Sequence, residues 1–138
     1  MSSYDKNKVD IRPILDLDIA DGIKTPEEKF QNETLRPILK MQHDLIRSMV
    51  HHYFKIKKNV FYKLSPEEKP QYIKGKLLTD KMIRYQLTGL VIGMMTQDEI
   101  AYYISNQSLI NKRIQSLLYQ RIMSLVETQP DIYTSSNE

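Results

Sequence analysis

Three histidines are the residues of this chain best suited to metal or acid–base chemistry: His43, His51 and His52. A helix holds one metal ion with two histidines when they are four residues apart, because both rings then lie on one face. His43 and His51 are eight residues apart, roughly 12 Å along a helix axis. A metal would need a carboxylate from another helix, so the stretch predicts surface histidines, with no metal and no cofactor.

Paired carboxylates occur at Glu27–Glu28, Glu67–Glu68 and Asp98–Glu99. The two carboxylates of each pair lie two and three residues after a Thr or Ser. An acidic residue three positions after Thr or Ser is the spacing of a capping box at a helix start. Acidic residues also suit the positive end of the helix dipole. There is no cysteine, and no phosphate loop, nucleophile elbow or zinc-protease motif is found. We therefore predict no catalytic residues and a protein that is not an enzyme.

Residues 96–118 have the parts of a helix-turn-helix: a capped short helix, a polar turn at 105–108 and a basic second helix. In that arrangement Asn111, Lys112, Arg113 and Gln115 face outward, where base or phosphate contacts are made. The turn has Ser105 where a glycine is common, and Asn106 and Asn111 stand where apolar residues are expected. Two adjacent helices of an ordinary bundle give the same pattern, and we favour that interpretation over a helix-turn-helix.

A second basic patch covers residues 55–63 and contains Lys55, Lys57, Lys58 and Lys63 next to Phe61 and Tyr62. Lysines beside aromatic rings suit RNA, which is bound by charge and by stacking. A helix end with buried aromatic rings gives the same pattern. The net charge is +3, but residues 25–126 alone carry +7, which permits an anionic partner without requiring one.

Apolar periodicity predicts the elements that position these residues. We expect helices at about 25–33, 35–58, 97–104 and 108–127, and one from near Pro70 that bends at Thr79. The run Tyr85–Met95 has apolar residues on every face and predicts a buried helix. Gly89 and Gly93 share a face, which suggests a tight helix crossing.

The predicted fold is an all-α compact bundle of five or six helices around a buried central helix at about 80–95. Residues 1–24 are predicted to be an extended arm that packs on the body or on a partner. Residues 25–127 form a single helical domain, and 128–138 a flexible tail. The central run is about half of the roughly 20 residues that span a bilayer, and no secretory signal is found. We therefore expect no membrane contact and a cytoplasmic location.

The stretches Phe30–Lys40, Lys58–Tyr62, Gly89–Gly93 and Asn111–Arg113 resemble a family of short helical proteins from Bacteroidota. The resemblance covers roughly residues 25–126 and implies a soluble cytoplasmic protein with no established activity. Some members carry the label "glyoxalase". Glyoxalase-type metal enzymes are built from βαβββ units with His and Glu ligands on strands, and no such strands are predicted here. The resemblance assigns no functional residues.

These observations favour a non-enzymatic helical module that binds another protein, in a process the sequence does not define. The alternative is a nucleic-acid-binding or ribosome- or polymerase-associated protein that uses segment 96–118 and patch 55–63. The contact candidates for either partner are Lys55, Lys57, Lys58, Lys63, Lys112 and Arg113. A third hypothesis is that the protein is an enzyme, but no catalytic motif in the sequence supports it.

Overall fold

The structure is a computed structural model that describes residues 1–15 and 24–128. Within these ranges the chain is helical and contains no strand, so the predicted fold class is confirmed. The α-helices are α1 (Ser3–Asp10), α2 (Pro26–Phe30), α3 (Arg36–Met41), α4 (His43–Ile56), α5 (Lys69–Tyr72), α6 (Lys81–Ile92), α7 (Gln97–Ser105) and α8 (Gln107–Thr128). The flexible tail predicted for 128–138 falls, apart from Thr128, outside the described residues.

A π-helical turn at Gln31–Leu35 joins α2 to α3, so one continuous rod runs from Pro26 to Met41. The break predicted before Pro37 is therefore wrong. A proline ring collides with the carbonyl four residues earlier, and the wider π turn just before Pro37 is a known way for a helix to absorb such a misfit. The interruption falls at Gln42 instead, with φ −89° and ψ 8°. It divides the helix that was predicted for 35–58.

Helix α4 ends in a Schellman motif that uses two residues of the basic patch. The N–H of Lys58 donates to the carbonyl of Lys55 at 3.1 Å, and the N–H of Asn59 donates to that of Phe54 at 2.9 Å. Both Lys58 and Asn59 have φ of 58°. Asparagine tolerates this left-handed conformation, but glycine is the usual residue at the position that Lys58 occupies.

One apolar core holds the helices together. The ring of Phe54 lies parallel to that of Phe61, with centroids 4.2 Å apart. Most of the apolar positions that predict α4 and α8 are buried in this core, but Leu45 and Leu109, which belong to the same predicted stripes, are 51% and 42% exposed. The buried ones are Ile46, Val50, Tyr53, Phe54, Ile110, Ile114, Leu117, Leu118, Ile122 and Leu125. No helix among the described residues is long and apolar enough to cross a membrane.

Helix α6 is not buried on every side, which corrects the prediction of a fully enclosed central helix. Leu87 and Val91 are fully buried, whereas Met82 and Tyr85 are 71% and 63% exposed. A Cβ added to Gly89 would meet nothing within 4 Å, and one added to Gly93 would meet only the Gly89 carbonyl oxygen, at 3.1 Å. The two glycines therefore open a surface and do not seat a helix crossing.

The N-terminal segment also differs from the prediction, because residues 3–10 form a helix rather than an extended arm. This segment packs on its own domain, at the junction of α6 and α7. Arg12 makes a two-pronged ion pair with Glu99, at 2.8 and 2.7 Å. Lys8 and Arg12 donate to the carbonyls of Met95 and Met94 at 3.0 and 2.8 Å. Met94 and Met95 lie in the connection between α6 and α7, so these bonds attach the N-terminal segment to that connection.

Candidate functional site

A groove that includes the predicted contact residue Lys112 lies between α6, α7 and α8. It encloses about 700 Å³, within the range of small-molecule sites, about 300–1,000 Å³. Its lining residues are Arg84, Tyr85, Thr88, Gly89, Ile92, Tyr103, Gln107, Asn111, Lys112 and Gln115. We call it the Gly89 groove. None of its lining residues is acidic, so it favours an anionic occupant.

One side of the Gly89 groove presents an aromatic ring beside a cation. The Tyr85 ring is largely exposed, and the Arg84 guanidinium lies 5.2 Å from its centroid. Lys112, from α8, is also exposed. An exposed ring flanked by cations can stack on a planar group and neutralise a phosphate attached to it.

Between these walls lies a set of hydrogen-bonded polar side chains. Gln115 Nε2 donates to Thr88 Oγ1 at 3.2 Å, and the Tyr103 hydroxyl donates to Asn111 Oδ1 at 2.6 Å. The Oε1 atom of Gln115 is buried and has no partner among the described residues. A buried acceptor without a donor costs free energy, so Gln115 Oε1 is an unsatisfied acceptor beside the groove.

The helix-turn-helix prediction holds for the two helices but not for the turn or the outward face. Only Asn106 separates α7 from α8, whereas a turn of residues 105–108 was predicted. Asn111 and Gln115 bond to neighbouring helices, and Arg113 Nη1 donates to Gln31 Oε1 at 2.9 Å. Of the four side chains predicted to face outward, Lys112 alone is exposed. The face that would enter a major groove is therefore already occupied within the fold.

Patch 55–63 offers exposed cations, but neither of its aromatic side chains is fully exposed, and Tyr62 is half-buried. Lys55, Lys58 and Lys63 are exposed, while Phe61 is buried in the core. Lys57 is exposed as well and lies 3.8 Å from Asp80. No lysine of this patch lines the Gly89 groove, so the structure does not join the two sets of predicted contact residues in one pocket.

A second groove, between α3–α4 and the C-terminal half of α8, collects positive charge. It encloses about 510 Å³ and is lined by Leu15, Arg36, Leu39, Lys40, His43, Leu117, Gln120, Arg121 and Ser124. We call it the Arg121 groove. Arg121 Nη1 lies 3.2 Å from His43 Nδ1. Because a guanidinium only donates, His43 Nδ1 must accept, and the neutral ring carries its proton on Nε2.

The pKa values in the Arg121 groove reflect its crowded charges. Burial, followed by the positive charge of Arg121, lowers the pKa of His43 from its ordinary value. Burial, followed by the charge of Arg36, lowers the pKa of Arg121. Asp44 acts in the opposite direction on His43. Cations have therefore been brought together here at an electrostatic cost.

The other two histidines do not join His43. His51 is half-buried, and burial followed by the charge of Lys55 lowers its pKa. His52 is exposed and lines a smaller cleft beside Tyr53 and Met82. Within residues 1–15 and 24–128, no group of three or more His, Cys, Asp or Glu side chains is placed to hold a metal ion.

The sequence analysis did not identify two clusters of side chains that the structure brings together. Arg36, Lys40 and His43 follow at steps of four and three, a spacing that places them on one helical face, but Arg121 joins them only through the fold. The Arg12–Glu99 pair joins residues 87 positions apart. No local pattern marks Arg12, since a single arginine in a polar segment is common.

Comparisons with protein-family models, with curated proteins and with solved structures find no match to this chain. What the protein binds is therefore inferred from its own geometry and charge.

Proposed function

We propose that this protein is a non-enzymatic binding module that holds a single-stranded nucleic acid in the Gly89 groove. The observation that carries the proposal is the exposed Tyr85 ring with Arg84 against it, facing a groove that also contains Lys112. A base stacks on the ring, and the two cations neutralise adjacent phosphates. Stacking of this kind is tolerant of sequence, because every base has a flat face.

The charge of the whole molecule supports an anionic partner. The chain has a net charge of +3, and residues 25–126 alone carry +7. The exposed lysines at 55, 58 and 63 add positive surface outside the groove. Such a field attracts polyanions and raises the rate of encounter.

A single strand fits this geometry better than a duplex. A recognition helix must present several side chains to base edges, but Asn111, Arg113 and Gln115 are hydrogen-bonded within the fold. A groove with one stacking ring and a few amides suits unpaired bases, whose edges are accessible. The geometry therefore favours binding of a single strand over binding of a duplex by segment 96–118.

The test is fluorescence anisotropy with a labelled single strand of about 12 nucleotides, a length within the usual site sizes. Affinity should fall with salt, with a log–log slope of about −0.7 for each phosphate contacted. Arg84→Gln and Lys112→Gln should each make the slope shallower by about that amount. Lys81→Gln is the matched control, because Lys81 is an exposed cation on α6 outside the groove.

Tyr85→Ala separates stacking from charge. Loss of one stacked base costs about 1–3 kcal/mol, roughly a 5- to 150-fold loss of affinity, with the salt slope unchanged. Met82→Ala is the control, since Met82 is equally exposed on α6 but lies outside the groove. Absence of binding at about 50 mM salt, or equal affinities of the Tyr85 and Met82 variants, would refute the proposal.

A protein partner remains the second candidate because of an apolar surface on α4 and α6. Leu45, Ile56 and Met82 are 51%, 57% and 71% exposed, and the latter two border a cleft of about 290 Å³. Replacing Met82 by Lys should abolish a complex with a protein seated on this cleft, and isolation of that complex from native cells supplies the assay. A complex that survives this change would eliminate the cleft as its interface. The cytoplasmic location stays a prediction.

A further inference from the structure

The Arg121 groove brings together cations from two separate parts of the chain. Arg36 and Lys40 come from α3, His43 begins α4, and Arg121 comes from α8. Arg36 is held in place by a bond from its Nε to Asn32 Oδ1, at 3.1 Å. Arg121 is half-buried and bonded to His43. Arg36, His43 and Arg121 are thus positioned before any ligand arrives.

Among residues 1–15 and 24–128, no carboxylate lines this groove. Across the described part of the chain, none lies within ion-pair distance of Arg36, Lys40 or Arg121, although Asp44 borders a smaller cavity next to His43. Taking like charges partly out of water without counter-charges is unfavourable. The groove is therefore most stable with an anion in it.

We propose that the Arg121 groove is a binding site for a small organic phosphate, held by Arg36, Lys40 and Arg121 with the Nε2–H of His43 as a further donor. Guanidinium groups present two parallel N–H bonds that match phosphate oxygens. Three formal positive charges suit a dianionic phosphate monoester better than a single carboxylate.

The remaining walls indicate that the ligand has an uncharged part. Leu39 and Leu117 are buried against this groove, and Leu15 lies at its edge. A volume of about 510 Å³ exceeds the need of inorganic phosphate and is within the range of sites for small organic ligands, about 300–1,000 Å³. The apolar side chains can cover a ring or a short carbon chain attached to the phosphate.

The experiment is a titration of the intact chain with inorganic phosphate and with phenyl phosphate, followed by the NMR signals of the His43 ring. Sodium chloride holds the ionic strength constant, so general screening does not change. Both probes should saturate, and phenyl phosphate should bind more tightly because its ring covers the leucines. The proposal is overturned if neither probe shifts the His43 signals either in the intact chain or in the variant that lacks the Asp16, Asp18 and Asp21 carboxylates.

Variants connect any binding to the named residues. Arg121→Gln should weaken both probes roughly 10- to 100-fold, the range for losing hydrogen bonds to a charged group. Arg121→Lys keeps the positive charge but lacks the paired N–H donors, so its affinity for both probes should lie between that of the unmodified protein and that of Arg121→Gln. Lys40→Gln, at an exposed position, serves if Arg121→Gln does not fold. Undiminished binding in all of these variants would contradict the proposal.

Two controls separate this site from other sources of binding. Lys112→Gln, in the Gly89 groove, should leave the affinity for phenyl phosphate unchanged, and Arg121→Gln should leave the affinity for a single strand unchanged. The sequence also places Asp16, Asp18 and Asp21 shortly after Leu15, outside the described residues. The titration is therefore repeated with all three changed to Asn, and failure to bind in both backgrounds refutes the site.

Discussion

Replacement of Arg12 by Ala tests whether the N-terminal segment is part of the folded body. The side chains of Arg12 and Glu99 are 7% and 18% exposed, and removal of one partner from a buried ion pair costs about 3–5 kcal/mol. Glu99 would keep its bonds from the Thr34 hydroxyl and the Thr96 N–H, at 3.1 and 2.8 Å. We therefore expect Arg12→Ala to lower the free energy of unfolding by about 3 kcal/mol, the lower end of that range.

The assay is urea denaturation at pH 7, followed by circular dichroism. The matched control is Lys6→Ala, because Lys6 forms an exposed pair with Asp10 at 3.9 Å on the same segment. Exposed pairs of this kind contribute about 0.5 kcal/mol or less. A loss for Arg12→Ala no larger than that for Lys6→Ala would show that the segment is not docked through Glu99.

A double-mutant cycle with Glu99→Gln isolates the interaction between the two side chains. Burial alone would raise the pKa of Glu99, but the bonds from Arg12, Thr96 and Thr34 outweigh it, and the pKa lies below its ordinary value. A lowered carboxyl pKa adds stability above the unfolded pKa, and this stability is lost as pH falls through the folded pKa. Arg12→Ala should therefore weaken the acid dependence of stability.

Three further predictions concern other parts of the fold. Gly89→Ala should stabilise the protein by about 0.5–1 kcal/mol in thermal or urea unfolding, because the added Cβ has room and alanine favours helix. A decrease in stability would instead support a tight helix crossing at Gly89. The pKa of His43 is lowered in the folded protein, so the unfolded chain binds more protons as pH falls from 7 through 6.5 and the free energy of unfolding decreases. His43→Gln, measured in phosphate-free buffer, should reduce this decrease. A free energy of unfolding with the same pH dependence in both proteins would contradict the prediction. Phe54→Ala should lower the free energy of unfolding in urea by about 3–5 kcal/mol. Ile56→Ala, at an exposed position nearby, should change it by no more than about 0.5 kcal/mol. Similar decreases for the two variants would contradict the burial of Phe54 in the core.

The helices that the sequence predicts best are those with strong local signals. Thr96 and Glu99 form the complete capping box that their spacing predicts, and α7 and α8 begin and end within two residues of the predicted positions. The other two boxes are only half made: Thr25 accepts from the Glu28 N–H, and the Ser65 N–H donates to the Glu68 carboxylate. In the second case the helix itself begins only at Lys69.

Two of the predictions that failed concern residue types with more than one structural use. A glycine pair permits a close helix crossing or leaves a groove open, and Gly89 does the latter because no side chain approaches it. An apolar run predicts burial on every face, but Tyr85 is exposed because no helix covers that side of α6. Local spacing is the same in either case, so the neighbours decide.

The sequence by itself determined that this chain is all-α, where most of its helices lie, and that its body is basic. Those properties follow from short-range hydrogen bonding, apolar periodicity and composition, all of which are contained in neighbouring residues. Only the tertiary structure decided which cations meet a carboxylate among the described residues: Arg12 meets Glu99, whereas Arg36 and Arg121 converge beside His43. The physical reason is that Coulomb interactions depend on distance in space, and the fold sets that distance between residues far apart in the chain.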